Sequence, residues 1–483
     1  MRRGFKRRFE PLRILSDSEI ESIHMATLNV LEEVGVRFES ERALSLLKKN
    51  GCIIDNDESL AKIPSSLVEE CIRRTPSSFI VRSRDEKDNL HIGGNTLYFM
   101  SSLGARLSDI ETGEVRVPSM QENNEAVRIS DGLGSIDLYS GYTPYFEIEG
   151  IEPVMLCATS LAQRLRNSTK ITRGTQPTDT FIWETQIAQA AGQELLGNME
   201  AAAPLSYPQD AINAAFTYTE ANFPMYIAAG SVMGGTAPVT IAGSTITNNA
   251  ELLAAVVLIQ CMRPGIGIIA NDFVTPMNME NGDLLFCSIG ASLHQMAFNQ
   301  IWHDLYSIPT NNTGSAFPAS KFIDYQSAYE KTHIAMTSAL SGANMIVFHG
   351  GVTAELSYNP LLSVIDDDVA NIIGKTIEGF EVSEGSMALD LIKEVGPVPG
   401  TYINKKHTRT WWKTEYFMPK VADRLPYKEW ISSGKKDIIK RAKERMEHIK
   451  STHLPVPLSP EKDRQIDKIL QEARKYYRNK GLL

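Results

Sequence analysis

Neutral polar and aromatic side chains end several short β-rich runs of the sequence. Asn271 and Asp272 end one run, Asn311 lies near the end of another, and Phe348 and His349 end a third. Amides and imidazoles can hydrogen-bond a substrate, and aromatic rings can hold a cation, at about 0.5–2 kcal/mol per contact. Paired carboxylates are scarce at these ends, which disfavours glycosidase chemistry. The residues indicate a site that binds and positions its substrate.

Motifs for several other chemistries are missing from the sequence. The nine histidines form no HxH, HExxH or Cys/His cluster, so we predict no metal site. The nearest nucleotide motif, GIGIIA at 265–270, lies inside a predicted strand, where it cannot form a phosphate turn. NLHIGG at 89–94 approximates the Asp-x-His-x-x-Gly string of corrinoid carriers, but Asn89 replaces the aspartate. We predict no catalytic acid, base or nucleophile, and no corrinoid bound by this chain.

Composition narrows the class of protein further. The chain has 483 residues, 42% apolar and 22% charged, which suits a globular protein with a large core. A net charge of −9 disfavours nucleic-acid binding. The longest apolar runs are too short to cross a membrane, and no apolar segment follows the basic start, so we expect a cytoplasmic protein. The basic start, residues 1–19, is expected to be a solvated tail, with contact to an acidic partner as the alternative.

Eight β-rich runs alternate with helix-length segments between residues 95 and 352. Strands that alternate with helices predict parallel βαβ units, and eight units predict an α/β fold of the TIM (β/α)8 barrel type. An open doubly wound sheet is the alternative, but it would normally carry a glycine fingerprint after its first strand. The predicted strands are 97–102, 136–142, 170–175, 202–207, 224–231, 265–272, 305–312 and 344–351.

Helical segments are expected on both sides of this barrel. Residues 1–94 form the N-terminal segment, with a first helix over 16–35 in which Ser16 and Glu19 have capping-box spacing. Residues 353–483 form a charged C-terminal helical extension, expected to lie over the barrel or at a subunit interface. We therefore expect a homo-oligomer.

Four strings resemble the trimethylamine methyltransferase family of corrinoid-dependent enzymes. They are LSDSEIESIHMATLNVLEEVGVRFES (15–40), MGGTAPVTIAGSTITNNAELLAAVVLIQCMRPG (233–265), KFIDYQSAYEKT (321–332) and SGANMI (341–346). The resemblance runs from about residue 15 to 475 in the family's order. It implies a TIM barrel that passes a methyl group from a small amine to the corrinoid of a separate partner protein.

One departure from the family pattern bears on the substrate. Trimethylamine members carry pyrrolysine in the loop after the seventh strand, and the flanking strings place that position at Ala316 or Phe317. Neither side chain can do pyrrolysine's chemistry. The chain therefore resembles the non-pyrrolysine branch, whose members demethylate quaternary amines: glycine betaine first, then proline betaine or carnitine. Such donors already carry the positive charge that makes the amine a leaving group, so the enzyme needs mainly to position the substrate.

The resemblance and the strand ends together define a candidate substrate-binding set. Each member of the set also has an alternative, structural role. The rings could pack in the core, Asp272 could cap the turn that follows its strand, and the asparagines could hydrogen-bond the backbone of their loops. The set comprises Phe99, Tyr145, Phe273, Phe317, Phe348, Asn271, Asn311, Asp272 and His349.

His349 is predicted as the ligand of the betaine carboxylate. It lies in VFHGG, where two glycines would let a ligand approach the backbone. A charge-assisted hydrogen bond from it would contribute about 1.5–3 kcal/mol. Two other functions remain open: a barrel lyase or hydrolase, and a non-catalytic betaine-binding subunit.

Overall fold

Eight parallel strands close into a barrel in the computed structural model, which describes residues 1–354 and 356–483. Each strand pairs with the next, and the eighth returns to the first, with Met345 opposite Tyr98. The closed ring confirms the predicted TIM barrel. The strands are β1 Thr96–Ser101, β2 Ile136–Tyr139, β3 Ile171–Arg173, β4 Leu195–Glu200, β5 Met225–Ala229, β6 Ile268–Asp272, β7 Thr310–Asn312 and β8 Met345–His349.

Seven predicted runs contain or overlap a barrel strand, but the fourth prediction was wrong. The strand is β4, whereas residues 202–207 contribute only Ser206–Tyr207, which pairs outside the barrel with Arg37–Phe38. The preceding helix ends at Ala191 because Gly192 turns the chain in the left-handed region at φ 76°. The sequence LLGNME offers few β-branched residues to mark a strand.

Seventeen α-helices lie in the described part of the chain, and α4 to α11 follow β1 to β8 in turn. The eighth barrel helix, α11, begins beyond the predicted barrel boundary at residue 352. The helices are α1 Asp17–Asn29, α2 Glu41–Lys49, α3 Ser65–Arg74, α4 Met120–Gly132, α5 Pro153–Asn167, α6 Thr180–Ala191, α7 Gln209–Glu220, α8 Ile241–Met262, α9 Ile289–Ile301, α10 Tyr325–Leu340, α11 Pro360–Glu378, α12 Glu384–Met387, α13 Leu389–Val395, α14 Lys406–Glu415, α15 Tyr427–Ser432, α16 Ile438–Thr452 and α17 Pro460–Asn479.

Local sequence sets the ends and the burial of these helices. Ser16 caps α1, and its backbone N–H donates to the Glu19 carboxylate at 2.8 Å, as the capping-box spacing predicts. The helix α8 is apolar on all sides because it packs between the barrel wall, α1, α3 and α9. It is long and apolar enough to cross a membrane, yet 78% of its apolar window is buried inside the protein.

The N-terminal segment is not purely helical as expected. Besides α1, α2 and α3, it holds short strands, and the hairpin of Ser78–Val81 and Leu90–Gly93 packs its apolar side chains into the barrel interior. The basic start is also not a free tail. Phe5–Lys6 pairs with β1, and buried Arg7 donates to the carbonyls of Ala339 and Ala343.

The chain after α11 makes two kinds of contact. Helix α16 packs on α4 and α11, and α17 packs on α5 and α6, so both lie over the outside of the barrel. Arg166 of α5 pairs with Asp463 of α17 at 2.7 Å. The segment between α11 and α16 is different, because none of residues 380–420 is buried.

The close packing of β4 against α7 gives a stability test. A Cβ on Gly197 would lie 2.5 Å from the Cβ of buried Tyr218, so Gly197→Ala must push α7 away from the barrel wall. We expect a loss of about 1–3 kcal/mol in the free energy of unfolding, measured by chemical denaturation. Gly134→Ala is the control, because nothing lies within 4 Å of its Cβ position. Equal stability of the two variants would contradict the packing described.

Candidate active site at the carboxyl ends of the barrel strands

A cavity of about 470 Å³ opens at the carboxyl ends of the barrel strands. This volume suits a small organic ligand. All eight strands, or the loops that follow them, contribute to its wall. The lining residues are Met100, Leu103, Ser140, Tyr142, Phe146, Arg173, Glu200, Ala201, Tyr226, Ala228, Ala229, Gly230, Asn271, Phe273, Thr313, Phe317 and Val347.

One ion pair lies in the wall of the cavity. Arg173 at the end of β3 donates from Nη1 to Oε1 of Glu200, at the end of β4, over 2.9 Å. Burial disfavours the charge of Arg173, but the nearby Glu200 carboxylate outweighs it and raises the pKa of the guanidinium. The Arg173 side chain is 7% exposed and that of Glu200 34%, so the carboxylate is the more accessible partner. Arg173 Nε is buried and has no hydrogen-bond partner among residues 1–354 and 356–483.

A hydrogen-bonded set of side chains continues the polar wall. Asn311 donates to the Tyr226 hydroxyl oxygen at 2.9 Å, and the Arg173 guanidinium carbon lies 4.8 Å from the Tyr226 ring centroid. Burial raises the pKa of Tyr226 to about 12, so its hydroxyl stays protonated. Asn271 Oδ1 accepts from Thr313 at 2.7 Å and from Asn311. The Asn271 amide group therefore has a fixed orientation, and its Nδ2 donates to no other group in the described chain.

Aromatic rings form the remaining wall in two groups. Phe273 lies 5.5 Å from Phe317, centroid to centroid, and Phe286 packs against both rings. Tyr142 and Phe146 form an edge-to-face pair at 5.7 Å. Such rings offer negative π-faces to a cation.

Three residues of the predicted set line the cavity, and a fourth supports it. Phe273, Phe317 and Asn271 are in the wall. Asn311 is fully buried behind it and orients both Tyr226 and Asn271.

Asp272 does not reach the cavity. It is fully buried, and its carboxylate lies 2.9 Å from Nδ1 of His294 on α9 and 3.4 Å from the Asn248 amide on α8. Successive side chains of a strand point to opposite faces of the sheet. Asn271 faces the barrel interior, so the side chain of the next residue, Asp272, points away from it. Asp272 joins β6 to two barrel helices, and it also accepts from the backbone N–H of Val274 at 3.2 Å, which is the turn capping predicted as its alternative role.

His349 is likewise outside the cavity, so the prediction that it binds the substrate carboxylate is corrected. Its Nε2 lies 2.8 Å from the hydroxyl of Ser135, and that hydroxyl donates to Asp367 of α11 at 2.7 Å. The imidazole is fully buried, and burial lowers its pKa to about 3. The neutral ring therefore carries its hydrogen on Nε2 and serves to join β8 to α11.

The remaining predicted rings also pack away from the cavity. Phe99 and Phe348 belong to the apolar layer between the barrel and helices α10 and α11. Tyr145 is fully buried against Tyr358, at 5.6 Å between centroids. All three rings therefore have the core-packing role that was the alternative to substrate binding.

Several lining residues were missed by the sequence reasoning. Arg173 and Tyr142 stand at predicted strand ends but were not selected, because a lone arginine or tyrosine carries no motif. Glu200 was missed because β4 was misplaced. Tyr226 lies early in β5 and faces the barrel interior, where only the correct strand register would reveal it.

The geometry supports binding more than acid–base chemistry. The cavity offers one cation, one carboxylate, one fixed amide and a wall of rings. Among the described residues, no group of three or more histidine, cysteine or acidic side chains is placed to hold a metal ion. The fold and the cavity define a barrel protein whose pocket has the size and the polar groups that a small polar organic molecule would need.

Comparison with known proteins identifies the family. The profile of the trimethylamine methyltransferase (MTTB) family matches residues 1–476, and the chain belongs to that family. Its relatives include the glycine betaine methyltransferase of Desulfitobacterium hafniense strain Y51, 27% identical, with 96% of this chain and 97% of that one covered. The trimethylamine methyltransferase MttB of strain DCB-2 is also 27% identical, over 96% and 94%. The chain is therefore a methyltransferase.

A third relative and one solved structure complete the comparison. The trimethylamine methyltransferase MttB of Methanosarcina barkeri strain Fusaro is 26% identical, with 97% of this chain and 96% of that one covered. The structure of the Methanosarcina barkeri monomethylamine methyltransferase aligns over the whole of both chains at 13% identity, with a TM-score of 0.49.

The buried, neutral His349 predicts a pH dependence of stability. In the unfolded chain the pKa of a histidine is about 6.5, whereas burial holds the pKa of His349 in the folded protein well below that value. Stability is therefore full above pH 6.5 and falls as the pH drops below it, by up to about 1.4 kcal/mol per pH unit. His349→Gln keeps a donor for Ser135 but does not titrate. We expect unfolding experiments at pH 7.5 and 5.5 to show a smaller acid loss for this variant than for the wild type.

Exposed His91 provides the matched control. His91→Gln should keep the acid loss of the wild type. If His349→Gln loses as much stability at pH 5.5 as the wild type, the neutral buried imidazole is contradicted.

Proposed function

We propose that this methyltransferase takes a methyl group from a small betaine, glycine betaine first, and passes it to the cobalt(I) centre of a separate corrinoid protein. The single observation that carries the proposal is the charge pattern of the cavity. One guanidinium and one carboxylate lie in a wall otherwise made largely of rings and aliphatic groups. A betaine is a zwitterion, so it complements this pattern, whereas trimethylamine has no anionic group.

Arg173 is the proposed partner of the substrate carboxylate. Its Nη1 binds Glu200, its side chain lies in the cavity wall, and desolvated guanidinium groups bind carboxylates strongly. The free Nδ2 of Asn271 is a second donor in the same wall. A charge-assisted hydrogen bond here would contribute about 1.5–3 kcal/mol.

The trimethylammonium group would then lie against the rings. Phe273 and Phe317 form a pair on one side, and Tyr142 and Phe146 form another. Each face contributes about 0.5–2 kcal/mol to holding a cation. The 34% exposed Glu200 carboxylate adds an electrostatic attraction.

The proposed reaction needs no proton transfer. The cobalt(I) electron pair forms the bond to the methyl carbon, the C–N bond breaks, and its electrons remain on nitrogen as the lone pair of dimethylglycine. The positive charge of the ammonium disperses during this step, so a cavity that excludes water favours it. The protein has only to hold the substrate with its methyl group directed to the opening of the cavity. This positioning role requires no acid–base cluster.

Phe317 is the residue by which this cavity differs from the site expected in a trimethylamine methyltransferase. Within the family resemblance, the pyrrolysine position falls on Ala316 or Phe317. Here Phe317 lines the cavity, and Ala316 is fully buried in the short turn Gly314–Ala316. A ring at this wall can bind a cation but cannot activate a tertiary amine.

The rim of the cavity suits a protein partner that brings the methyl acceptor. Exposed apolar side chains stand on the loops and helix starts that follow β5, β6 and β7, among them Val239, Met279, Leu285, Phe322 and Tyr325. Clusters of this kind commonly mark protein interfaces. We assign them to the corrinoid protein, because cobalt must reach the methyl group through this mouth.

Proline betaine and carnitine are the alternative substrates, because each also carries a quaternary nitrogen and a carboxylate. One experiment separates these substrates: a reduced corrinoid protein is mixed with the chain and each amine in turn, and the visible spectrum reports conversion of Co(I) to methyl-Co(III). We expect conversion with a betaine. Turnover of trimethylamine alone would contradict the proposal, and so would binding of a betaine without conversion.

The proposed role of Arg173 predicts a substrate-dependent loss of activity. Arg173→Met removes the partner of the carboxylate and leaves the Glu200 charge in the wall. For glycine betaine we expect kcat/KM to fall by about 10- to 150-fold, the loss of one charge-assisted hydrogen bond. For tetramethylammonium, which has no carboxylate, we expect no fall or a gain, because Glu200 attracts it.

The exposed pair of Arg106 with Glu147 offers the matched control. Arg106→Met should leave both substrates unaffected. If Arg173→Met reduces activity equally on glycine betaine and tetramethylammonium, Arg173 has only a structural role.

A further inference from the structure

A second cavity lies on the outside of the barrel, and we call it the outer cavity. It is enclosed by α4, α16, the first turn of α11 and the hairpin after β1, in which Arg106–Ser108 pairs with Val115–Arg116. Its volume is about 510 Å³. Among the described residues, none lines both this cavity and the one at the strand ends. A ligand in the outer cavity would therefore leave the candidate active site free.

Two buried hydroxyl groups belong to the wall of the outer cavity. Tyr145 is fully buried and Ser108 is 5% exposed, and neither hydroxyl has a hydrogen-bond partner in residues 1–354 and 356–483. The Tyr145 ring packs against Tyr358, but this contact does not use the hydroxyl. A buried polar group without a partner is costly, and native proteins keep few of them. The two hydroxyls therefore indicate a polar ligand that enters this cavity.

Negative charge dominates the lining of the outer cavity. Its charged residues are Asp109, Glu111, Glu122, Glu125, Glu447, Lys443 and Lys450. Both lysines are already paired, Lys443 with Glu111 at 2.6 Å and Lys450 with Glu447 at 3.2 Å. Glu122 pairs with Arg116, which lies just outside the lining. Five acids and three bases leave a formal charge of −2, which attracts a cation and repels an anion.

Aliphatic side chains make up much of the remaining wall. They come from the hairpin, from α4, from α11 and from α16, and they favour the methylene groups of a ligand over water. These side chains are Leu107, Ile110, Ala126, Ile129, Leu361 and Met446. The outer cavity thus combines unpaired hydroxyls, aliphatic surface and excess carboxylates.

We propose that the outer cavity binds a linear aliphatic diamine in its doubly protonated form. An alkylammonium group has three N–H donors and no acceptor, so one end of the ligand can donate to the hydroxyl oxygens of Tyr145 and Ser108. The other end pairs with the carboxylates, among which Asp109 has no ion-pair partner in the described chain. The alkyl chain contacts the aliphatic wall, and the two positive charges balance the charge of −2. The inference does not rest on the methyl transfer proposed above.

Isothermal titration calorimetry of the full chain with the linear diamine cadaverine tests the site. We expect saturable one-to-one binding. Tyr145→Phe removes the hydroxyl and keeps the packed ring, and Ser108→Ala removes the other hydroxyl. Each variant should bind cadaverine about 10-fold or more weakly, because a hydrogen bond to a charged donor is lost. Neither should unfold more readily than the wild type, since each removes a group that has no partner within the protein.

Tyr142→Phe is the matched control, because it removes a tyrosine hydroxyl from the wall of the other cavity. It should leave the affinity for cadaverine unchanged. Tetramethylammonium is the control ligand: it is a cation without N–H donors, and we expect it to bind at least 10-fold more weakly than cadaverine. Absence of saturable cadaverine binding would overturn the proposal, and so would wild-type affinity in both hydroxyl variants. An equal loss in Tyr142→Phe would place the diamine in the barrel cavity and also overturn it.

Discussion

The ion pair between Arg173 and Glu200 is the interaction on which the character of the site depends. A guanidinium that is 7% exposed needs a close carboxylate, because an unpaired buried charge is strongly destabilising. The parallel pairing of β3 with β4 places the two side chains at adjacent strand ends. Their charges cancel, so the cavity wall is neutral overall, and the proposed substrate is a zwitterion that carries both complementary charges. The hydrogen bonds around Asn311 fix the rest of the polar wall, and the rings complete it.

The barrel was predictable from sequence because strands and helices alternate in regular lengths, and seven β-rich runs contain or overlap strands. The remaining strand, β4, was not predictable, because Gly197 and Asn198 have low strand propensity. Gly197 is used here for close packing with Tyr218 of α7, and Asn198 donates to the Glu200 carboxylate at 3.1 Å. That single error hid Glu200. Phe273, Phe317 and Asn271 were found because they lie at the ends of correctly placed strands. The exposure of residues 380–420 could not be predicted from their charged sequence, because the absence of buried residues is a property of the folded chain.

The position of His349 shows a limit of reasoning from strand ends. Val347 faces the cavity, so strict alternation along β8 would turn His349 inward too. The pairing with β1 shifts its register between Val347 and His349, and the imidazole consequently faces Ser135 and α11. A one-residue irregularity of this kind leaves no reliable mark in a sequence. It moved the predicted carboxylate ligand out of the site and left Arg173 as the cation that faces the cavity.

Membership of the trimethylamine methyltransferase family is compatible with more than one amine, since its relatives at 27% identity include enzymes named for glycine betaine and for trimethylamine. Under the proposed function, charge distinguishes these donors, since only a betaine has a carboxylate to pair with Arg173. The most direct measurement is therefore a crystal structure of the protein soaked with glycine betaine in the absence of the corrinoid protein. The account predicts a carboxylate oxygen within hydrogen-bond distance of Arg173 and a trimethylammonium within about 6 Å of the Phe273 or Phe317 ring centroid. A betaine bound outside the cavity, or turned so that its ammonium lies beside Arg173, would contradict it.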